Sequence, residues 1–222
     1  MDLIFMLTRD DLTVADCLEV MDEISSLGVR HLGFKDVGVP LEVQRELLAR
    51  IKASGATSYF EVVSETPEAC LRSARAAVEL GVDCLLGGTD TAAMAQIVAG
   101  TGVALYPFCG FPQGHPTRLG GSPADIARHC REMVAGAAAG VDLLAFRATD
   151  ADPVDLIRAA REALAPGRLI VAGSIDSPQR VRAMADLGVD GITIGTALFQ
   201  GVFAPVRIGI AEQLRAALDC AA

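Results

Sequence analysis

The sequence is poor in positive charge. Its 222 residues carry 19 Lys and Arg against 28 Asp and Glu, which gives a formal net charge of −9. Lysine occurs only at Lys35 and Lys52. An acidic chain of this kind offers no general positive field that would release counterions from a nucleic-acid backbone. We therefore expect no nucleic-acid partner.

Long apolar runs are also missing. The longest apolar stretch, residues 133–146, is interrupted by Asp142 and is shorter than the roughly 20 residues that a membrane-spanning helix needs. Residues 1–7 are apolar, but they are too short for the core of a signal peptide and have no basic residues before them. These features predict a cytoplasmic protein with no membrane partner.

Motifs for common cofactors and for zinc are absent. The sequence has no Walker motif and no G-x-G-x-x-G turn, so neither ATP nor NAD is indicated. The six cysteines form no C-x-x-C pair and the three histidines are scattered, which argues against zinc. We expect no cofactor. Oxygen ligands leave little spacing signature, so a magnesium ion held by Asp36, Glu61 and Asp150 is the alternative.

The sequence does contain a regular alternation of short apolar runs and amphipathic stretches. Hydrophobic residues make up 51% of the chain, and each of eight apolar runs is followed by a segment long enough for a crossover helix. The predicted strands are 3–7, 30–34, 57–62, 82–86, 103–108, 141–146, 169–172 and 191–194. Eight units average about 28 residues. This predicts one α/β domain over residues 1–222, a single (β/α)8 TIM barrel.

Helix ends are marked by specific residues. An oxygen-bearing side chain followed by proline predicts four helix starts, at Thr66, Ser122, Asp152 and Ser177. A glycine before an apolar run predicts four left-handed helix ends, at Gly28, Gly81, Gly140 and Gly188. The segments around these four glycines resemble one another and recur at intervals of roughly 50 residues, which is the length of two βα units. A last helix is predicted over about 204–218.

The carboxyl ends of the strands carry most of the polar candidates, as expected where a TIM barrel places its working residues. The Gly- and Pro-rich loop 109–121 exceeds the usual βα loop, which favours a functional role as a lid. In this loop, His115 is a candidate general acid and Arg118 a candidate substrate-binding residue. A loop histidine that is merely exposed is the alternative. Arg9 and Gly88 are further candidates for substrate binding.

Lys35 and Glu61 are the leading catalytic candidates. The strand alternation places both side chains inward at the mouth of neighbouring strands, and Gly33 is expected to leave space for the lysine. The pair can act as acid and base beside a carbonyl group, or the lysine can form a Schiff base. A salt bridge with no catalytic role is the alternative.

Arg147 is the third catalytic candidate. It shares the parity of Leu143 and Ala145, so we expect all three to point inward. A buried guanidinium needs an acceptor, which would be a carboxylate such as Glu61 or an anionic substrate. Together with the other basic residues of the mouth, Arg147 is expected to make the cavity locally positive.

Two late phrases, VAGSIDS (171–177) and ITIGTALF (192–199), predict a phosphate site. Gly173 with Ser174 and Gly195 with Thr196 would let backbone N–H groups approach an anion, aided by a helix N-terminus. Tight turns without a ligand are the alternative. With these phrases the chain resembles the ribulose-phosphate-binding-barrel superfamily. The resemblance covers the βα pattern of the whole chain, but only these four residues match at motif level. Many such barrels have glycine where this chain has Ser174.

The resemblance implies an enzyme that acts on a small phosphorylated carbonyl compound. The chemistry would be that of a lyase, of the aldolase or decarboxylase kind, or that of an isomerase or epimerase. Aldolases of the 2-keto-3-deoxy-phosphogluconate type place their lysine on strand six, where this chain has Arg147. Alternatives are a non-catalytic barrel that binds a phosphorylated metabolite and a cofactor-biosynthetic barrel of the vitamin B6 type. A homo-oligomer is compatible with a small barrel, although the sequence indicates no interface.

Overall fold

The computed structural model describes residues 1–64, 66–114, 116–206 and 209–221, which form a parallel eight-stranded barrel. The strands are β1 (Asp2–Met6), β2 (His31–Lys35), β3 (Thr57–Val62), β4 (Cys84–Gly87), β5 (Ala104–Tyr106), β6 (Gly140–Leu143), β7 (Arg168–Val171) and β8 (Gly191–Ile194). Their order is β6-β7-β8-β1-β2-β3-β4-β5. Backbone hydrogen bonds from Asp142 to Pro107 (2.9 Å) and from Cys109 to Asp142 (3.2 Å) join the two ends. The predicted (β/α)8 fold is confirmed.

Helices lie between the strands. They are α1 (Cys17–Ile24), α2 (Leu41–Ala53), α3 (Pro67–Leu80), α4 (Thr91–Val98), α5 (Pro123–Ala135), α6 (Pro153–Leu164), α7 (Pro178–Asp186) and α8 (Ile210–Ala221). A short helix, Thr196–Phe199, follows β8. The last long helix begins at Ile210, later than predicted. In the part of the chain that the structure describes, no helix has both the length and the apolar character needed to cross a membrane.

The predicted helix starts are confirmed, and one predicted helix end is wrong. Thr66, Ser122, Asp152 and Ser177 each accept a hydrogen bond from an amide of the first helical turn. The glycines at 28, 81 and 188 adopt φ values of 61°, 82° and 71°. Gly140, in contrast, lies in β6, where a Cβ atom would collide with the backbone carbonyl of Arg168 on β7. Close strand pairing therefore explains this glycine.

Side chains of the barrel strands alternate between two apolar layers. The inner cluster contains Ile4, Met6, Tyr59, Cys84, Leu86, Tyr106 and Ile170. Leu32 and Phe60 pack in the outer layer between strands and helices, as the alternation predicts. Gly33 makes room for the inner cluster, because a Cβ atom there would collide with the Met6 sulfur. This differs from the expectation that Gly33 makes room for Lys35.

The parity expected for β6 is wrong. Leu143 and Ala145 belong to the outer apolar layer, and the strand ends at Leu143. Asp142 pairs in register with the inward-facing Ile170, so its side chain points into the barrel. Arg147 lies on a 3-10 helix, Ala145–Arg147, rather than on a strand. A turn after the strand, and not strand alternation, brings Arg147 to the mouth.

Candidate active site

A cavity of about 630 Å³ opens at the carboxyl ends of the barrel strands. Loops after five strands, β1, β5, β6, β7 and β8, contribute to its lining, and β2 and β3 contribute Lys35 and Glu61 themselves. The lining includes these residues singled out from the sequence: Lys35, Glu61, Arg118, Arg147, Gly173, Ser174, Gly195 and Thr196. The structure thus gathers eight of the eleven candidate side chains and glycines around one space.

Of the other three candidates, Arg9 and Gly88 are not part of this lining. Arg9 is exposed and does not line the cavity. Gly88 faces the helices, because a Cβ atom there would lie 2.5 Å from the Met94 sulfur and 2.9 Å from the Cys70 sulfur. A contact between Gly88 and a substrate stays a prediction. His115 lies outside the described residues.

The long loop after β5 is more ordered than its composition suggests. Phe111–Gln113 and Arg118–Gly120 pair as an antiparallel hairpin, and Leu119 forms a bridge to Ala148 beyond β6. The exposed Arg118 therefore reaches the cavity from a hairpin that is tied to the neighbouring loop. The role of this hairpin as a lid stays a prediction.

Lys35 lies between two carboxylates at the base of the cavity. Its Nζ atom is 2.7 Å from Oδ1 of Asp11 and 3.4 Å from Oε1 of Glu61. The register of β2 and β3 places Lys35 opposite Glu61, as the alternation predicts. Only 7% of the Lys35 side chain and 4% of the Glu61 side chain are exposed. Burial alone would lower the pKa of Lys35, but Glu61 and Asp11 outweigh burial and raise it.

Arg147 binds the same aspartate. Its Nη1 atom donates to Oδ2 of Asp11 at 2.7 Å and its Nη2 atom donates to Oδ1 at 2.9 Å, which makes a bidentate ion pair. The carboxylate partner of Arg147 is therefore Asp11 rather than Glu61, which was given as an example of such a partner. The alternative, an anionic substrate as acceptor, stays a prediction. Burial opposes the ionised form of Asp11, but Arg147 and Lys35 hold the pKa of this carboxyl far below its usual value.

Asp11 is a functional candidate that the sequence analysis missed. It lies in a two-residue turn between Thr8–Arg9 and Leu12–Thr13, where Asp10 and Asp11 have φ values of 53° and 63°. Positive φ at both central residues is typical of a type I′ hairpin turn, and Asp is among the residues that tolerate it. The Thr13 hydroxyl accepts from the Lys35 amide at 2.9 Å, which fixes this hairpin to β2. The signal available in the sequence was the Asp10-Asp11 pair, which begins four residues after the end of β1.

The cavity is not the positive mouth that was expected. Lys35 and Arg147 are each paired with buried carboxylates, and the carboxylates of Asp10 and Asp176 also line the cavity. Asp176 in turn pairs with Arg180 at 2.8 Å. The two signs of charge are therefore nearly balanced, which favours recognition by specific contacts over general attraction of anions.

The four predicted phosphate-binding residues line the same cavity, and all four also have contacts within the protein. The backbone carbonyl of Ser174 accepts a hydrogen bond from Arg180. A Cβ atom on Gly173 would lie 2.5 Å from Nε of Arg147, and one on Gly195 would lie 2.5 Å from Oγ1 of Thr8. The Thr196 hydroxyl accepts a hydrogen bond from the Asp10 amide at 2.9 Å. Both glycines thus allow close packing of neighbouring loops beside the cavity.

The three carboxylates proposed as magnesium ligands are not gathered. Oδ1 of Asp36 accepts a hydrogen bond from the Val63 amide at 3.0 Å, and its Oδ2 accepts one from the Ser64 hydroxyl. Both oxygens of Asp36 are therefore bonded to the loop between β3 and α3. Asp150 does not line the cavity. Among the described residues, no group of three or more His, Cys, Asp or Glu side chains is arranged to hold a metal ion.

No protein-family model matches this chain, and no curated protein matches its sequence. Solved structures match its fold. The native KDPGal structure has a TM-score of 0.71 and 15% identity, over 99% of this chain and 94% of that chain. Orotidine 5'-phosphate decarboxylase from Pyrococcus horikoshii OT3 has a TM-score of 0.67 and 13% identity, over 99% and 98%.

A third match is the 4-hydroxy-2-oxoglutarate aldolase/2-deydro-3-deoxyphosphogluconate aldolase from TTHB1, with a TM-score of 0.64 and 18% identity, over 99% of this chain and 94% of that chain. This chain shares their barrel fold. These matches agree with the predicted (β/α)8 barrel. At these identities the likeness concerns the fold and not the site residues.

Proposed function

We propose that this protein is an enzyme that moves a proton at a carbon atom next to a carbonyl group of a small phosphorylated compound. The observation that supports this most is the placement of Lys35 between Asp11 and Glu61 at the base of the cavity. A decarboxylase and an aldolase are among the solved structures with this fold, which supports an enzyme rather than a non-catalytic barrel.

The charge state of Lys35 favours proton transfer over imine chemistry. Two buried carboxylates raise the pKa of Lys35, so its amine stays protonated near neutral pH. A protonated amine has no lone pair with which to attack a carbonyl carbon. It is, however, a suitable proton donor to an enolate or carbanion. Isomerase, epimerase or decarboxylase chemistry therefore fits this site better than a Schiff-base lyase.

The proposed steps balance within the site. In an isomerase or epimerase, the Glu61 carboxylate removes a proton from the carbon next to the carbonyl group. The electron pair moves onto the carbonyl oxygen, and the Lys35 ammonium stabilises the resulting enediolate. Return of a proton to a carbon atom completes the turnover. In a decarboxylase, the bond between a substrate carbon and its carboxylate breaks, and the carboxylate leaves as carbon dioxide. The Lys35 ammonium protonates the carbanion that keeps the electron pair, and solvent returns a proton to Lys35. Neither route needs a cofactor.

We place the phosphate group of the substrate between the loops after β7 and β8. Gly173 and Gly195 let an anion approach the backbone, and Ser174 and Thr196 offer hydroxyl groups nearby. Arg118 lies on the hairpin that also lines this cavity and supplies a cation without a buried carboxylate partner among the described residues. His115, outside the described residues, stays a candidate general acid.

Hydrogen exchange tests the proposed chemistry. The protein is incubated in D2O with ketose phosphates, aldose phosphates and phosphorylated keto acids, and proton NMR follows deuterium at the carbon next to the carbonyl group. In parallel, borohydride is added and the peptides that contain Lys35 and Lys52 are examined by mass spectrometry. We expect exchange or decarboxylation without an adduct. An adduct on Lys35 would instead establish an imine lyase, and binding without any turnover would support the non-catalytic barrel.

Ser174→Asp is expected to weaken binding of inorganic phosphate. The substitution places a carboxylate at the proposed phosphate site. Repulsion between this carboxylate and a phosphate ion bound beside it is expected to raise the dissociation constant about tenfold or more. Ser174 has φ of 58°, a conformation that Asp tolerates, so the loop should keep its shape. Isothermal titration calorimetry with inorganic phosphate measures the change.

Asp176→Asn is the matched variant on the same loop. It removes a carboxylate that lines the cavity and should tighten phosphate binding. If both variants bind phosphate with the affinity of the unmodified protein, the anion does not bind at this loop.

A further inference from the structure

Asp142 is a buried carboxyl group for which the proposed chemistry has no use. It lies on β6 with 0% of its surface exposed. Neither side-chain oxygen has a hydrogen-bond partner among the described residues. An ionised carboxylate in this setting would have lost its hydration without any compensating hydrogen bond, a cost that a neutral acid largely avoids.

The charges around Asp142 also disfavour its ionised form. Lys35 and Arg147 supply two positive charges, and Asp11 and Glu61 already supply two negative charges. An ionised Asp142 would therefore add an unbalanced negative charge to a buried cluster.

The groups that act on Asp142 come from several elements. Glu61 on β3 acts against ionisation, while Lys35 on β2 and Arg147 after β6 favour it. Ile170 on β7 is apolar, and Cys109 after β5 carries a buried thiol. Burial, followed by Glu61, raises the pKa of Asp142 well above its ordinary value.

We propose that Asp142 holds a proton at neutral pH and is a positioning residue for Glu61 and Lys35. With the proton on Asp142, Glu61 is the ionised carboxyl group of the two and stays paired with Lys35 at the cavity. The neutral acid thereby assigns the role of base to Glu61. This catalytic consequence rests on the proposed function, whereas the protonation of Asp142 does not.

The stability of Asp142→Asn tests the protonation without any substrate. An aspartate in the unfolded chain loses its proton near a pH of about 4, while the folded protein is proposed to keep it. The contribution of Asp142 to the stability of the folded protein should therefore fall as the pH rises above about 4. Asparagine does not titrate, so the urea midpoint of the variant should exceed that of the unmodified protein by a margin that grows with pH. A lower midpoint at neutral pH would overturn the proposal.

Asp83→Asn is a control whose effect on stability should have the opposite sign to that of Asp142→Asn. Asp83 accepts hydrogen bonds from Lys52 and Ser58, and its pKa is lowered by these groups although burial opposes the shift. This variant should be less stable than the unmodified protein at neutral pH, and the difference should close as the pH falls. The two variants thus separate a buried acid that keeps its proton from one that has lost it.

Carboxyl carbon NMR provides a second readout that does not depend on variant stability. In the unmodified protein labelled at aspartate, the Asp142 signal, identified by its loss in Asp142→Asn, should show the protonated form at neutral pH. In Glu61→Gln the like charge is removed, so the Asp142 titration should move to lower pH. A signal typical of the ionised form at neutral pH would overturn the inference. Because no substrate is used, these results stand apart from the outcome of the exchange assay.

Discussion

Lys35→Met is expected to lower the free energy of unfolding by about 3–5 kcal/mol, because it leaves the buried carboxylates of Asp11 and Glu61 with one cation instead of two. The same variant should lose about 10²- to 10⁴-fold in the exchange assay, the usual contribution of a positioned acid. Urea unfolding and the rate of deuterium exchange measure the two effects.

Two further variants show whether the loss of activity follows from the loss of stability. Lys52→Met removes the only other lysine, whose exposed pair with Asp83 is worth about 1 kcal/mol or less. This variant should keep its activity. Lys35→Arg keeps the positive charge, but a guanidinium is a poor proton donor, so stability should exceed that of Lys35→Met while turnover stays low. Full activity in Lys35→Arg would show that Lys35 donates no proton.

Asp11→Asn should also destabilise the protein by about 3–5 kcal/mol at neutral pH, because Asp11 bridges two buried cations. The pKa of Asp11 is lowered in the folded protein, so its contribution is fully present above the unfolded value of about 3.9 and is lost as the pH falls toward the folded value. The stability difference should therefore be constant above a pH of about 5 and shrink in acid. Urea midpoints across this range measure it.

Asp10→Asn is the matched control for Asp11. Both residues occupy the same hairpin turn with positive φ, a conformation that asparagine adopts readily. Asp10 is exposed and makes no ion pair with the buried cluster in the part of the chain that the structure describes. Its replacement should change stability by less than about 0.5 kcal/mol. If Asp10→Asn and Asp11→Asn are equally destabilising, the turn and not the ion pair is responsible.

The fold was predictable because several local signals agreed. The β-branched runs, the Ser/Thr/Asp-Pro starts and the glycine ends all indicated eight βα units, and alternation on β2 and β3 correctly placed Lys35 beside Glu61. Alternation failed on β6, where the apolar run 141–146 continues past the strand into a 3-10 helix. A continuous apolar run does not show where a strand ends. Leu143 and Ala145 were therefore expected to point inward, although Asp142 is the inward residue of this strand.

The site was predictable only in part, because its central partner comes from a distant loop. Asp11 and Arg147 are 136 residues apart in sequence, and no spacing rule joins them. The two late glycines were correctly placed at the mouth, but the packing of Arg147 and Thr8 against them also demands glycine. A glycine in the sequence does not show whether the space left by its missing side chain is taken by a ligand or by a neighbouring side chain.

The most direct test of the account is the protonation state of Lys35. Labelling with lysine that carries 15N at Nζ gives signals from only two side chains, with the exposed Lys52 as an internal reference. We predict that Lys35 remains an ammonium group up to at least the ordinary lysine pKa of about 10.4. A Lys35 that loses its proton near neutral pH would contradict the assignment of Lys35 as the proton donor and would favour imine chemistry.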